Sequence, residues 1–297
     1  ISACLVGSEM CIRDRPQTPL KHHAFWFRGW QPLVIHNQTV SRIPKALGIG
    51  EEVPYEPPIK RNPRELTVDQ HFHTAHAISK FYDHDGKVEV RVVRTGDVVR
   101  RHKRAKIFCT KRTWDQRAET GYMLAIETAF HDEIDNFKGF SNRNHDALSR
   151  YHLLWRLRHH FHQSDCQDLV LKGIKGSDLT RVQEEIVESK GGAFFRDEGV
   201  VASRLAIGLK IQIFLDRYWH NYEGIKWGLI QAEEGEFVVA DAYHQLPFMP
   251  VSPNTVFLAG AEDHTMSRQT VCHMNSKSIA ASHEYYFARE LAACPVV

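Results

Sequence analysis

The stretch DALSRYHLLWRLRHHFHQ, residues 146–163, predicts a helix with one apolar face. At about 100° per residue, its largest apolar side chains fall within one continuous arc of the helical wheel. These side chains belong to Tyr151, Leu154, Trp155, Leu157 and Phe161. We therefore expect this helix to pack its apolar arc against the core of the domain.

Arg158 is a charged residue inside this arc, at about 40° from Leu154. An arginine keeps its charge, so a buried one needs a carboxylate, several carbonyl groups or a bound anion as its partner. A structural ion pair, a clamp for a substrate or phosphate, and a side chain that extends outwards to solvent are all compatible with this position. We predict that Arg158 points inwards and reaches Asp241 or Asn275.

Asp241 and Asn275 are the other polar residues that the sequence places at buried edges. Asp241 ends the predicted strand EFVVAD, where a carboxylate either caps the next turn or faces a crevice at the sheet edge. Asn275 lies among apolar residues of the last predicted helix, so its amide has to belong to a hydrogen-bond network or to a site. Pairing with Arg158 would lower the pKa of Asp241 and make it an orienting group rather than a proton donor.

The periodicity of the remaining sequence favours an α+β fold, with helices in the middle and strands on either side. We expect a basic β-hairpin, a central helical bundle, and a small C-terminal antiparallel sheet with a closing helix. In the helix over 194–219, alternating apolar residues leave a strand open as the alternative. The predicted elements are a hairpin from 87 with Gly96 in its turn, helices at 115–139, 146–163, 177–191 (capped by Ser177) and 194–219, strands at 226–231, 236–240 and 256–259, a helix at 268–282 and a strand at 284–288.

The chain divides into three parts along its length. Residues 1–15, ISACLVGSEMCIRDR, resemble the translated read-through of a sequencing adapter, so we leave them outside the fold. Residues 16–66 form an extension that ends in a connector with four prolines among residues 53–63, where extended backbone is expected. We expect residues 67–297 to form a single α+β domain.

Composition excludes several classes of protein. The chain of 297 residues has 38 Lys and Arg against 36 Asp and Glu, so it is not a polycation as a whole. No apolar run approaches the ~18–20 residues that a membrane helix needs, so we expect no membrane partner. Without the first fifteen residues, four cysteines remain with no CxxC pair, which favours free thiols in a reducing, cytoplasmic setting.

Histidine is abundant, with 19 residues, and three of these lie in the motif HFHTAH. His71 and His73 share a face in a strand, whereas His73 and His76 share one in a helix. Zinc needs three or four ligands, so the motif supplies at best half of a metal site. We predict no metal ligands, and the sequence identifies no particular cofactor. His71 is the candidate general acid or base.

A basic segment runs from Arg91 to Arg112 and holds nine Lys and Arg residues but one Asp within twenty-two residues. Such a segment could follow the phosphates of a nucleic acid. Alternatively, its charges protect an exposed edge strand from aggregation. Both interpretations stay open.

From about Val68 to Arg289 the chain resembles the bacterial domain of unknown function 4238. The resemblance lies in QHFHTAHAISKFYDHDGKVEVRVVRTGDVVRR, IETAFHDEID, a helix with an inward Arg, KWGLI, FVVAD, FMPVSP and HMNSKSIAASHEYYFA. It implies His71, Arg158, Asp241 and Asn275 as the site residues. After Asp241 the chain has Ala-Tyr where the family often has Asn-Pro. The family has no established activity, so the resemblance implies no reaction.

Two functions are compatible with these residues. In the first, the protein is a hydrolase of a phosphodiester or other anionic substrate, with His71 as general acid or base, Arg158 as anion clamp and Asp241 as orienting carboxylate, while Asn275 stabilises developing charge. In the second, it is a non-catalytic binding module whose basic segment contacts nucleic acid or a partner protein. Convergence of the four residues on one solvent-reachable pocket would favour the hydrolase.

Overall fold

A computed structural model of the chain describes residues 55–164, 167–242 and 246–297. The predictions for residues 1–15, for the extension before Tyr55 and for Cys166 lie outside these ranges. Within them, each helix is either too short or too polar to cross a lipid bilayer.

The described residues combine helices with several sheets, which confirms the α+β fold class. The helices are α1 (Ala75–Ser79), α2 (Gln116–Ala118), α3 (Leu124–Asp135), α4 (His145–Gln163), α5 (Arg181–Ser189), α6 (Ser203–Trp219) and α7 (Arg268–Ala281). The strands are β1 (Asp69–His71), β2 (Val88–Val92), β3 (Val98–Arg101), β4 (Cys109–Lys111), β5 (Leu169–Val170), β6 (Val200–Val201), β7 (Trp227–Ala232), β8 (Val239–Ala240), β9 (Phe248–Ser252), β10 (Thr255–Ala259), β11 (His264–Met266) and β12 (Tyr285–Ala288).

The predicted hairpin forms as β2 and β3, and Gly96 takes φ +73° in its turn. This hairpin is not a separate element, because β12 pairs with β2 on one side and with β8 on the other. The resulting sheet has the order β3-β2-β12-β8. The last strand of the domain therefore fixes the hairpin to the C-terminal half of the chain.

A second four-stranded sheet has the order β11-β7-β10-β9. The predicted antiparallel C-terminal sheet forms in the pairs of β10 with β7 and with β9, and β11 adds a strand that runs parallel to β7. The sequence did not predict β9, which contains Pro250. Proline lacks the backbone donor of a ladder, and β9 accommodates it as an edge strand with β10 as its single neighbour in the described sheet.

The helix α4 lies at the centre of the structure and is buried on nearly all sides. Its apolar arc contacts α3, where the rings of Tyr151 and Phe130 stack with centroids 3.7 Å apart. The opposite side is polar in sequence yet equally covered, and its buried members are Ser149, His152, Arg156 and His159. Burial therefore extends well beyond the predicted apolar arc.

Two predicted helix boundaries were wrong. The helix α5 begins after Thr180, whose hydroxyl and backbone form a capping box with Gln183, and not after Ser177. The helix α6 begins at Ser203 rather than near 194, because the chain first forms β6 and a turn at Gly199. Gly199 takes φ +75°, and a β-carbon there would lie 2.4 Å from the carbonyl oxygen of Leu171, so only glycine is tolerated.

A buried ion network attaches the proline-rich connector to the domain. Glu188 of α5 accepts hydrogen bonds from Arg112 Nη2 at 2.8 Å and from Arg204 Nε at 3.0 Å. Arg204 also pairs with Glu56, which precedes the connector prolines Pro57 and Pro58. Because all three central side chains are nearly inaccessible to solvent, these charges are held by one another rather than by water.

Replacing Glu188 by Gln is expected to lower the free energy of unfolding by about 3 kcal/mol, because two buried guanidinium groups lose their shared negative partner. Urea denaturation monitored by circular dichroism measures the change. Glu234→Gln is the control, since the ion pair of Glu234 with Arg268 is exposed and such pairs contribute at most about 1 kcal/mol. Equal stability of the two variants would contradict a buried network.

Candidate functional site

Arg158 points into the core, as predicted, and only 2% of its surface is exposed. The partner predicted for it was wrong: Nη1 of Arg158 donates to Oε1 of Glu127 on α3. The guanidinium also lies 5.3 Å from the centre of the Trp114 ring. Glu127 therefore neutralises the charge of Arg158 inside the protein, and the Trp114 ring adds a cation–π contact.

A second carboxylate, Glu119, lies close to the same guanidinium. Nε1 of Trp114 donates a hydrogen bond to it. Burial raises the pKa of Glu119, and the nearby charge of Arg158 opposes that effect. Arg158 thus lies near two carboxylates, both partly exposed, and the side chain of Glu127 is 16% exposed.

His71, at the end of β1, lies beside this pair. Its Nε2 is 2.9 Å from the carbonyl oxygen of Lys103, and a carbonyl can only accept, so Nε2 carries the proton and Nδ1 is the basic nitrogen. Burial lowers the pKa of His71, and the carbonyl and Glu127 partly offset this. The ring is therefore neutral at pH 7 and can accept a proton at Nδ1.

The other two histidines of HFHTAH face different partners. His73 Nδ1 is 2.7 Å from the hydroxyl of Tyr151, and its ring stacks on Trp155 with centroids 4.0 Å apart. Burial lowers the pKa of His73 to about 3, so it is a neutral core residue. His76 binds Asp135 on α3. The three ring systems therefore do not share a ligand position.

One group of possible metal ligands occurs in the described residues, at the turn after α1. Ligand atoms of Asp83, His84 and Asp85 lie within 4.8 Å of one another. Arg100 already pairs with both carboxylates, and the turn is largely open to solvent. We assign no metal to it.

Asp241 serves the backbone rather than Arg158. Its carboxylate accepts from the backbone N–H groups of His283, Glu284 and Tyr285, at 2.9, 2.6 and 3.1 Å. Burial raises the pKa of Asp241, and these three bonds counteract the rise. Arg158 therefore does not lower the pKa of Asp241 as predicted. Instead, the carboxylate of Asp241 caps the backbone that leads into β12.

Asn275 is a structural member of a backbone network. Its Oδ1 accepts from the N–H of Val238 at 2.9 Å, and its Nδ2 donates to the carbonyls of Glu236 and Pro295 at 2.8 and 3.0 Å. Both donors and the acceptor of this amide are engaged with backbone groups, so Asn275 is not the partner of Arg158. The four predicted residues do not converge, and His71 and Arg158 are the two that lie in one electrostatic environment.

Sequence analysis missed Glu127, although a signal for it exists. On the wheel of α3, Glu127 lies about 20° from Ile134 and at the edge of the apolar face that also contains Met123 and Phe130. A carboxylate in that position needs a buried cation, just as Arg158 needs an anion. The same reasoning applied to both helices would have paired them.

The basic segment divides into paired and unpaired charges. Arg100, Lys111 and Arg112 pair with carboxylates. Five other side chains of the segment are exposed and have no carboxylate within 4.0 Å among the residues described here: Arg91, Arg94, Arg101, Arg104 and Lys106.

Lys103 joins this segment to the histidine site. Its backbone N–H donates to the hydroxyl of Tyr82 at 2.9 Å, while its carbonyl accepts from His71. The loop after β3 is thereby fixed on both sides, directly beside His71. An anion that binds Arg104 or Lys106 would lie near the ring that can accept a proton.

Comparison with models of known protein families, with curated proteins and with solved structures finds no match to this chain. The similarity to domain of unknown function 4238 therefore stays a prediction.

Substitutions at Arg158 and Glu127 test how much this ion pair contributes to the stability of the protein. Arg158→Met is expected to lower the free energy of unfolding by about 3–5 kcal/mol, because it leaves Glu127 without its cation. Adding Glu127→Leu should restore much of this loss, whereas adding Asp241→Leu should not. Chemical denaturation of the single and double variants measures both couplings. Rescue by Asp241→Leu instead would contradict the observed pairing.

Proposed function

We propose that this protein binds nucleic acid through the basic segment. The supporting observation is a set of five exposed cations on the hairpin and the loop that follows it, for which the described part of the chain supplies no carboxylate partner. Phosphate groups are the anions that such a set neutralises, with release of counterions. Free cysteines and a nucleic-acid ligand are both compatible with the cytoplasmic location expected from the sequence.

Protection of an edge strand accounts for only part of this charge. The strand β3 is an edge of its sheet, and Arg100 and Arg101 on it are charges of the kind that discourage edge-to-edge pairing. Arg104 and Lys106 come after β3, so they protect no edge. In the same loop is the exposed residue His102, whose ring centroid lies 5.6 Å from that of Tyr82. These two rings add aromatic surface on which a nucleobase can stack.

Reversing Arg101, Arg104 and Lys106 to Glu is expected to abolish binding of short RNA and DNA. For the unmodified protein, log Kd should rise linearly with log salt concentration, and each lost phosphate contact should reduce that slope by about 0.7–0.9. Fluorescence anisotropy across a salt series measures affinity and slope together.

The matched control reverses Lys172, Lys175 and Lys210, which are exposed lysines outside the basic segment, and so changes the net charge by the same amount. It should leave most of the affinity. Equal loss in both triple variants would point to attraction by overall charge. Absence of salt-sensitive binding by the unmodified protein would refute the proposal.

Hydrolysis of the bound phosphodiester is the second candidate function, and the tautomer of His71 favours it. Water would attack phosphorus while its proton passes to Nδ1 of His71, and the imidazolium would return that proton to the oxygen of the breaking P–O bond. Arg158 takes no clamp role in this scheme, because Glu127 already neutralises it. Asp241 and Asn275 also take no part.

His71→Asn should reduce hydrolysis of single-stranded RNA or DNA by about 10²–10⁴-fold and leave the affinity unchanged. The assay is run with and without divalent metal, and His76→Asn, a change in the same motif at a more exposed position, is the control. If the unmodified protein binds but does not cleave, it is a binding module. If His71→Asn cleaves normally, another group is the base.

A further inference from the structure

Arg156 lies on the opposite side of α4 from Arg158, about 160° away on the wheel. It is 2% exposed, and its Nη1 donates to the hydroxyl of Tyr222 at 2.5 Å. Its Nε is buried without a hydrogen-bond partner. In the described residues, no carboxylate oxygen lies within 4.0 Å of this guanidinium.

This separates Arg156 from the other buried arginines of the described residues. Each of those has a carboxylate partner, and the pairs are Arg112 with Glu188, Arg143 with Asp263, Arg158 with Glu127, and Arg204 with Glu56 and Glu188. A guanidinium cannot release its proton, so burial without an anion leaves a full charge in a medium of low dielectric. Among the buried arginines of the residues that the structure describes, Arg156 is the one without a described carboxylate partner.

The neighbouring side chains do not supply the missing charge. His152, one turn earlier on α4, has Nε2 at 3.1 Å from the carbonyl of Leu246, and burial together with Arg156 lowers its pKa to about 3. Burial raises the pKa of Tyr222, so its hydroxyl stays protonated. These two described neighbours of Arg156 are therefore neutral.

The position is close to the surface. Tyr222 belongs to the turn between α6 and β7, and its neighbours Asn221 and Glu223 are exposed. Glu223 forms no ion pair with Arg156, although it is only one residue from Tyr222.

We propose that Arg156 is the binding residue for a small oxyanion, a carboxylate or a phosphate group, that enters beside Tyr222. The planar guanidinium presents paired N–H groups that match two oxygens of such an anion, and the neutral His152 and Tyr222 border it. This site is independent of the basic segment and of His71.

The test measures the thermal unfolding midpoint in chloride, in sodium acetate and in inorganic phosphate at constant ionic strength. The midpoint of the unmodified protein should rise with phosphate, with acetate or with both, by roughly 5 °C at a hundred times the dissociation constant. A response to phosphate alone identifies a phosphate site, and a response to acetate identifies a carboxylate site. Calorimetric titration with the same anion should give one site per chain.

Arg156→Met should abolish this response. In chloride alone the variant should unfold at the same temperature as the unmodified protein or higher, because an uncompensated buried charge has been removed. Arg150→Met is the control, since Arg150 is an exposed arginine of the same helix that lies over Trp219, and it should keep the response. The triple reversal of Arg101, Arg104 and Lys106 should keep it as well.

Two results would overturn the site. If the unmodified protein shows neither an anion-dependent midpoint nor calorimetric binding, Arg156 is a structural partner of Tyr222, and Arg156→Met should then be less stable in every buffer. If Arg156→Met retains the full response, the anion binds elsewhere. Should Arg156→Met not fold, the calorimetric titration of the unmodified protein and of Arg156→Lys decides: binding must occur in the first and weaken in the second, because lysine keeps the charge but lacks the paired N–H groups.

Discussion

A buried guanidinium group cannot lose its proton, and four of the five buried arginines in the described residues are held by a carboxylate, a constraint that organises much of the packing in this structure. Arg158 meets Glu127 and so holds α3 against α4. Arg112 and Arg204 meet Glu188 and draw β4, α5 and α6 together. Each pair joins different secondary-structure elements, so the charges select one packing arrangement among many that would bury similar apolar area.

The sequence alone predicted correctly those features that depend on a single secondary-structure element. The wheel of α4 placed Arg158 inside, and the Gly96 turn placed the hairpin, because both patterns are local. The partner of Arg158 depends on how α3 crosses α4, which no single wheel contains. Asp241 had three backbone donors close to it, and this capping interaction prevailed over pairing with a distant cation.

The errors in the fold likewise occur where a feature depends on contacts between elements. The prolines around β9 concealed a strand, since an edge position tolerates proline while local propensity opposes it. The candidate site was affected more strongly than the fold, because a site is made of contacts between elements. The sequence-based residues were His71 and Arg158, which lie near Glu127, and Asp241 and Asn275, which hold the backbone. What the four share is that they are polar and at least partly buried.

The position of β12 has a consequence for synthesis on the ribosome. The strands β2 and β3 emerge well before β12, and β2 keeps an open edge until β12 inserts between it and β8. Sheet completion therefore has to wait until the chain has been synthesised through β12, and it requires closure of a long loop. Until then, the nascent hairpin carries its arginines beside an unpaired edge, and those charges help to keep neighbouring nascent chains from adding a strand there.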